Sequence, residues 1–360
     1  MRHVIALDVG GTGMKAALVG PDGALLHRAL RPTGREHGPE AVTEAVLRFA
    51  EDLRAHGERE FGEPAAAAGV GVPGVVDAGT GSVAYSANLG WRDVPLRSLL
   101  SERLGGVPVA LGHDMRAGGL AEGRLGAGRG VDRFLYLALG TGISAAICID
   151  GRIEAGAHGS AGEIGHVVVR PGGPACGCGG RGCLESLASA SAVAREWAAA
   201  CGAPGATAED AARAVEAGDP RARRVWDGAV SALADGLLVC ITLLDPRALI
   251  VGGGLAGAGE TLFAPLRAAL AERVVFQTLP TVLPAALGDN AGSLGAGLLA
   301  WDLLPDGAAS TGAGGAAAST GAASTGAGGA AASTGAASTG AGGAAASAAG
   351  PAVSVEAAAR

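Results

Sequence analysis

Between His166 and Cys183 the chain carries four residues able to bind a soft cation: His166, Cys176, Cys178 and Cys183. Three of its six cysteines fall inside the eight residues Cys176-Gly177-Cys178-Gly179-Gly180-Arg181-Gly182-Cys183. This spacing constrains the fold more than any other feature. Zn²⁺ takes four tetrahedral ligands from thiolate sulfur and imidazole nitrogen, and a Cys₃His set on a glycine-rich loop closes that shell with no position left for water. The ion is therefore read as structural. Glu163 lies three residues before His166 and Glu185 two residues after Cys183, so a metal that fixes the loop also fixes both acids. Cys148, Cys201 and Cys240 are scattered and odd in number, which suits packed thiols better than a disulfide framework.

A chain of 360 residues has length for two domains of ordinary size. Its net charge of −7 argues against a sequence-independent grip on nucleic acid, which needs Lys and Arg along a surface, and points to a small-molecule ligand. Met1 to Val9 carries His3 and Asp8 in a short apolar run and does not read as a signal peptide, so a cytoplasmic location is expected. The apolar stretches 134–149 and 236–251 are broken by glycines or by Asp245-Pro246. Neither supplies the ~20 continuous apolar residues of a spanning helix, and no membrane segment is expected. From Gly307 a Ser/Thr/Gly/Ala sequence recurs with a 14-residue period and carries no aromatic, leucine or charge up to Gly350. Too little apolar area remains there to offset the entropy of ordering, and residues 305–360 read as a flexible tail.

Taken in order, His3 to Leu7 is a short strand running into Asp8-Val9-Gly10-Gly11-Thr12-Gly13, with a second strand after it. Glycines in such a turn let backbone N–H groups approach phosphate, Thr12 adds a hydroxyl, and Asp8 is placed to hold Mg²⁺ through water. The alternative is a tight hairpin without a ligand. Residues 39–57 have the spacing of an amphipathic helix, 66–72 of a buried strand and 82–86 of a short one. Asn88-Leu89-Gly90-Trp91 follows on a loop; an amide and an indole suit a carbohydrate, although Trp91 alone reads better as a shield for the core. Asp114 stands where the strand 107–111 gives way to a helix over 117–125, a place that suits a general base and equally an N-cap. Leu139-Gly140-Thr141-Gly142-Ile143 repeats the strand, glycine turn, strand arrangement, so the chain reads as two related halves facing one nucleotide. Residues 186–201, 207–217, 222–244, 262–271 and 291–301 read as helices, and 248–251 as a buried strand running into Gly252-Gly253-Gly254. Those glycines leave room for a ring or phosphate, or form a plain turn.

These motifs together resemble the ROK family of bacterial sugar kinases and repressors. The resemblance is carried by Asp8-Val9-Gly10-Gly11-Thr12, by Leu139-Gly140-Thr141-Gly142-Ile143, and by Glu163-x-Gly-His166 followed by Cys176-x-Cys178-Gly179-x-x-Gly182-Cys183-x-Glu185, and it covers residues 3 to 303. It implies an α/β protein of the actin-like ATPase (ribonuclease H-like) fold, with two domains around a cleft. The expected boundaries are 1–116 and 117–304, with the helix 291–301 packing back on the first half. It implies Asp8, Gly10, Gly11, Thr12, Lys15, Thr141, Gly142, Gly253 and Gly254 toward ATP, with Lys15 the only lysine of the chain. It implies Asn88, Asp114, Glu163, His166 and Glu185 toward a hexose, Asp114 as the catalytic base, and His166, Cys176, Cys178 and Cys183 as zinc ligands. The sequence departs from the family pattern at His113, at Ser144-Ala145-Ala146 and in the Asn88 to Trp91 loop, which bears on the sugar and on nucleotide fit. The phosphate motif begins at Asp8, so a repressor's helix-turn-helix ahead of it is not expected. The expected activity is ATP- and Mg²⁺-dependent phosphorylation of a hexose, glucose foremost, in a homodimer or homotetramer with a structural Zn²⁺. Alternatives are an N-acetylmannosamine, N-acetylglucosamine or fructose kinase, or a non-catalytic sugar-binding regulator.

Overall fold

The computed structural model describes residues 1–305, and the 14-residue repeat lies outside them. The N-terminal run of alternating apolar residues forms a meander of β1 (Val4–Val9), β2 (Gly13–Val19) and β3 (Leu25–Pro32), followed by helix α1 (Pro39–Phe61). Strand β4 (Ala68–Val72) returns parallel to β1. A small antiparallel sheet of β5 (Val75–Asp77), β6 (Ser82–Ser86) and β7 (Trp91–Val94) is inserted next, then α2 (Leu96–Arg103), β8 (Val109–His113) and α3 (Asp114–Leu125). The second half opens on β9 (Phe134–Leu139), β10 (Ile143–Ile149) and β11 (Arg152–Ile153). After the cysteine loop come four helices, α4 (Glu185–Ala188), α5 (Ala190–Cys201), α6 (Ala208–Glu216) and α7 (Pro220–Leu244). The described chain then completes β12 (Ala248–Gly252), α8 (Glu260–Arg273), β13 (Thr281–Pro284) and α9 (Ala291–Trp301).

The two large sheets run β3-β2-β1-β4-β8 and β11-β10-β9-β12-β13. In each, an antiparallel hairpin supplies the central strand, and two parallel strands extend it on the far side. The halves therefore share one plan, as the repeated glycine turn implied. Each has its own core: Phe49, Leu53, Trp91 and Leu100 pack on the first sheet, and Trp226, Leu237, Phe263 and Leu266 on the second. Helix α9 packs on the first sheet, Leu294 and Leu298 joining Val4, Ala17 and Val19. It crosses α3 at backbone contact, since a Cβ on Gly295 would run into the Ala117 carbonyl. Helix α7 has a mean hydropathy of 1.7 over 18 residues, enough by length and composition to cross a bilayer. Its Trp226, Val230, Leu233 and Ile241 are instead part of the second core.

Some local structure differs from the periodicity. The single helix expected over 186–201 is broken at Ser189, whose extended backbone lets its Oγ accept from Ala192 N–H at 3.1 Å and cap α5. The helix expected from Ala117 begins at Asp114. Trp91 opens a strand and is fully buried, its Nε1–H donating to Pro39 O at 3.1 Å, so its indole serves the core. Glu122, fully buried on α3, accepts from the N–H groups of Ala127 at 2.8 Å, Leu287 at 2.8 Å and Ala286 at 3.2 Å. Three charge-assisted bonds satisfy that carboxylate and fix the segment leading into α9 to the helix that begins at Asp114.

Candidate active site

Asp8 stands at the C-terminal end of β1, paired in register with Lys15 on β2. The turn between them is closed by Gly10 N–H to Gly13 O at 2.9 Å and tied down by Thr33 Oγ–H to Gly10 O at 2.6 Å. Gly11 lies against Asn88, so the first phosphate turn and the amide of the Asn88 loop come together. Lys15 Nζ is 3.3 Å from Asp289 O and 3.4 Å from its Oδ1, just before α9. Burial pushes the Asp8 carboxyl up to about 6, with the charges of Asp114 and Asp289 adding to the rise and Lys15 opposing it. Two further carboxylates acting on Asp8 against a single ammonium leave the region short of positive charge, which fits a hydrated divalent cation.

A testable consequence follows from the sign of that shift. The folded chain holds the Asp8 proton more tightly than the unfolded chain, so this contribution to stability is fully present below about pH 4 and is lost as pH rises through about 6. In metal- and nucleotide-free protein, Asp8→Asn is expected to raise stability by roughly 3 kcal/mol at pH 8, with the gain vanishing toward pH 4. Thermal melts across that range check it; a gain that does not vary with pH would show that the charge on Asp8 is not its source.

Asp114 begins α3, and its Oδ1 accepts from Met115 N–H at 2.6 Å. The buried His113 places Nδ1 3.2 Å from the same oxygen, close but not aligned for a hydrogen bond. Burial pulls the imidazole's pKa down, with Asp114 and Glu163 acting the other way, so the ring beside the carboxylate is favoured in its neutral form. The second oxygen of Asp114 accepts no hydrogen bond among the described residues.

The second turn mirrors the first, Gly140 N–H bonding Gly142 O at 3.0 Å. Glu185 Oε2 accepts from Ile143 N–H at 2.9 Å, and Gly142 has no room for a Cβ against that carboxylate. Thr141 and Gly254 line one cavity of about 840 Å³ together with Ala206, Glu209 and Trp226, a size suited to a nucleoside. Gly253, at φ +83°, approaches the Leu139 carbonyl too closely for a side chain. Sequence reasoning missed Glu209 and its neighbours, which lie on helical sequence that shows no motif; only their distance from Thr141 in space marks them.

His166, Cys176, Cys178 and Cys183 bring their ligand atoms within 4.8 Å of one another. Cys178 and Cys183 sulfurs are 3.7 Å apart, and His166 Nδ1 is 3.6 Å from Cys176 Sγ. Tetrahedral Zn²⁺ sets these edges at about 3.8 and 3.5 Å, so the donors fit the ion. Burial and the adjacent thiols push Cys183 up to about 12, which a bound cation would reverse. His166 uses Nδ1 in the cluster and keeps Nε2 outside it, while Glu163 stands exposed at the start of the short turn that carries His166.

The ROK family profile matches residues 4–302. The chain belongs to the ROK family. Glucokinase of Thermotoga maritima is 38% identical over 313 residues, 81% of this chain and 95% of that protein. The crystal structure of a ROK hexokinase from Thermus thermophilus superposes with a TM-score of 0.71 at 37% identity, covering 84% of this chain and 99% of that one. A ROK glucokinase from Streptomyces griseus, solved in complex with glucose and AMPPNP, gives 0.72 at 31% identity, with 83% and 99% covered. The actin-like ATPase fold implied by the motifs is thus the fold of this ROK protein.

Proposed function

We propose that this ROK protein is an ATP-dependent hexokinase that phosphorylates glucose at its 6-hydroxyl. The observation that carries this reading is the pair Asp8 and Asp114, which stand at the C-terminal ends of the parallel strands β1 and β8 on either side of β4, each next to a glycine turn or a helix start. Asp114, one oxygen held by Met115 N–H, accepts the hydroxyl proton as the sugar oxygen bonds to the γ-phosphorus and the bond to ADP breaks. Asp8 is the residue that would hold Mg²⁺, and the ion, when bound, would neutralise charge on the phosphoryl oxygens. The N–H groups of Gly11 and Thr12 and of Thr141 and Gly142 face the phosphates, with Gly10 shaping the first turn through its bond to Gly13 O and Lys15 beside them. The adenosine lies toward Gly253 and Gly254, in the cavity that Gly254 shares with Thr141.

Asn88, Glu163, His166 and Glu185 grip the ring hydroxyls. Glu185 has one oxygen engaged by Ile143 N–H and the other left for sugar, and with Nδ1 turned to the cysteine cluster, where it would serve a structural Zn²⁺, His166 would donate through Nε2. Polar groups that expect a hydroxyl go unpaired with an analogue lacking it, so these residues set specificity. The domains 1–116 and 117–304 close on the substrates, and the enzyme works in the cytoplasm as a homodimer or homotetramer. Val275, Phe276 and Leu243, at 90%, 84% and 75% exposure, are the apolar surface best suited to a second copy, and sedimentation gives the size.

The reading is tested by ADP release from purified protein with ATP and Mg²⁺ across a panel of hexoses and N-acetylhexosamines. Glucose is expected to give the highest kcat/KM. A higher value with an N-acetylated sugar or fructose moves the substrate, and binding without ADP release from any sugar makes the protein a regulator.

A further inference from the structure

We propose that Arg116 is a positioning residue that holds the loop 154–163 against the helix of the catalytic base and so sets where Glu163 stands. This rests on the hexokinase reading above. Arg116, on the first turn of α3, donates from Nη1 to the Gly159 carbonyl at 2.9 Å. Gly159, at φ +72°, faces the main chain of Val76 on β5, where an added Cβ would lie 3.6 Å from the Val76 oxygen. The loop's ends are tied to β10 by Glu154 N–H to Ile147 O at 2.8 Å and Ala145 N–H to Gly162 O at 2.8 Å. Between them its own bonds are local, Gly159 N–H to Gly156 O at 3.4 Å and Ala161 N–H to Ala155 O at 3.2 Å. Among the described residues, Arg116 supplies the hydrogen bond that joins the middle of this loop to the rest of the chain.

The charge has a role beyond that bond. Arg116 is half-buried and makes no ion pair within 4.0 Å among the described residues, although Asp114 and Glu163 both act on it electrostatically. Within electrostatic reach of both a base and a sugar-binding acid without pairing with either, the guanidinium offsets their mutual repulsion and leaves their oxygens to the substrate. A cavity of about 760 Å³ bordered by Arg116, His113, Val76 and His158 gives a released loop space to move.

The test compares Arg116→Met and Arg116→Lys with the parent chain by steady-state kinetics and by amide hydrogen exchange of the ligand-free protein. Arg116→Met is expected to raise the KM for glucose about tenfold, the loss of a charged hydrogen bond, with the KM for ATP unchanged. Amides 155–161 should exchange about tenfold faster, and lysine, which keeps the charge and a donor, should restore most of both. Equal rises in both KM values, or unchanged loop exchange in a folded variant, overturn the proposal. Faster exchange with an unchanged glucose KM also overturns it, because the loop would then not place Glu163. If Arg116→Met does not fold, Arg116→Gln replaces it under the same criteria. A parent chain without hexose-dependent turnover overturns the hexokinase reading instead, and the exchange measurement still decides the contact.

Discussion

Replacing Asp114 by Asn is expected to lower glucose phosphorylation about 10³-fold while hexose affinity stays within a few-fold of the parent. The amide keeps the size of the carboxylate and its oxygen can still accept from Met115 N–H at the start of α3, so the helix and the pocket wall are preserved. It cannot take the proton released when the sugar hydroxyl attacks, and that is an interaction made only on the way to the transition state. The effect should therefore fall on kcat, with glucose binding measured separately by calorimetry. Turnover near the parent rate would remove Asp114 from the role of base. The neutral His113, 3.2 Å from the same carboxylate, would then be the next group to replace.

The second large effect is expected at the metal cluster. Stripping Zn²⁺ with a chelator, or replacing the exposed Cys178 by Ser, should raise the KM for glucose by tenfold or more, roughly the cost of losing an orienting partner at a metal site. The KM for ATP should change little. The asymmetry follows from the chain path: the cluster holds His166 by Nδ1, three residues from Glu163, and holds Cys183, two residues from Glu185, whereas Thr141 and Gly254 line a cavity that none of the four ligands touches. Zinc content by atomic absorption and circular dichroism establish that the protein is metal-free and folded before kinetics are measured. An unaltered glucose KM under those conditions would separate the cluster from the sugar.

Much of the fold was legible because its signals are local. Strand and helix periods along 4–19, 39–61, 134–149 and 220–244 place those elements within a few residues of where they stand. The strands β3 and β7 and helix α2 were not legible, since they are mostly half-exposed and lack the continuous buried apolar run that marks the equally short β4 and β12. The break at Ser189 was likewise hidden inside a run of good helix formers, where one serine cap outweighs the propensity around it.

By itself the sequence determined the grouping of His166 with the three cysteines, the two glycine turns and the order of their strands, because in each the interacting groups lie within about twenty residues and spacing stands in for distance. Tertiary structure alone decided what those parts do to one another. It buried Asp8 and set it within electrostatic reach of Asp114, which together lift its pKa to about 6. It set one oxygen of Glu185 on the backbone of Ile143, put Thr141 and Gly254 on one cavity, and sent the Trp91 indole into the core. It also aimed Arg116 at Gly159, a contact that no spacing announces. The physical reason is common to all of these: burial, field and hydrogen-bond reach depend on which elements pack together, and residues far apart in the chain acquire them only when the two sheets and α3 and α9 are in place.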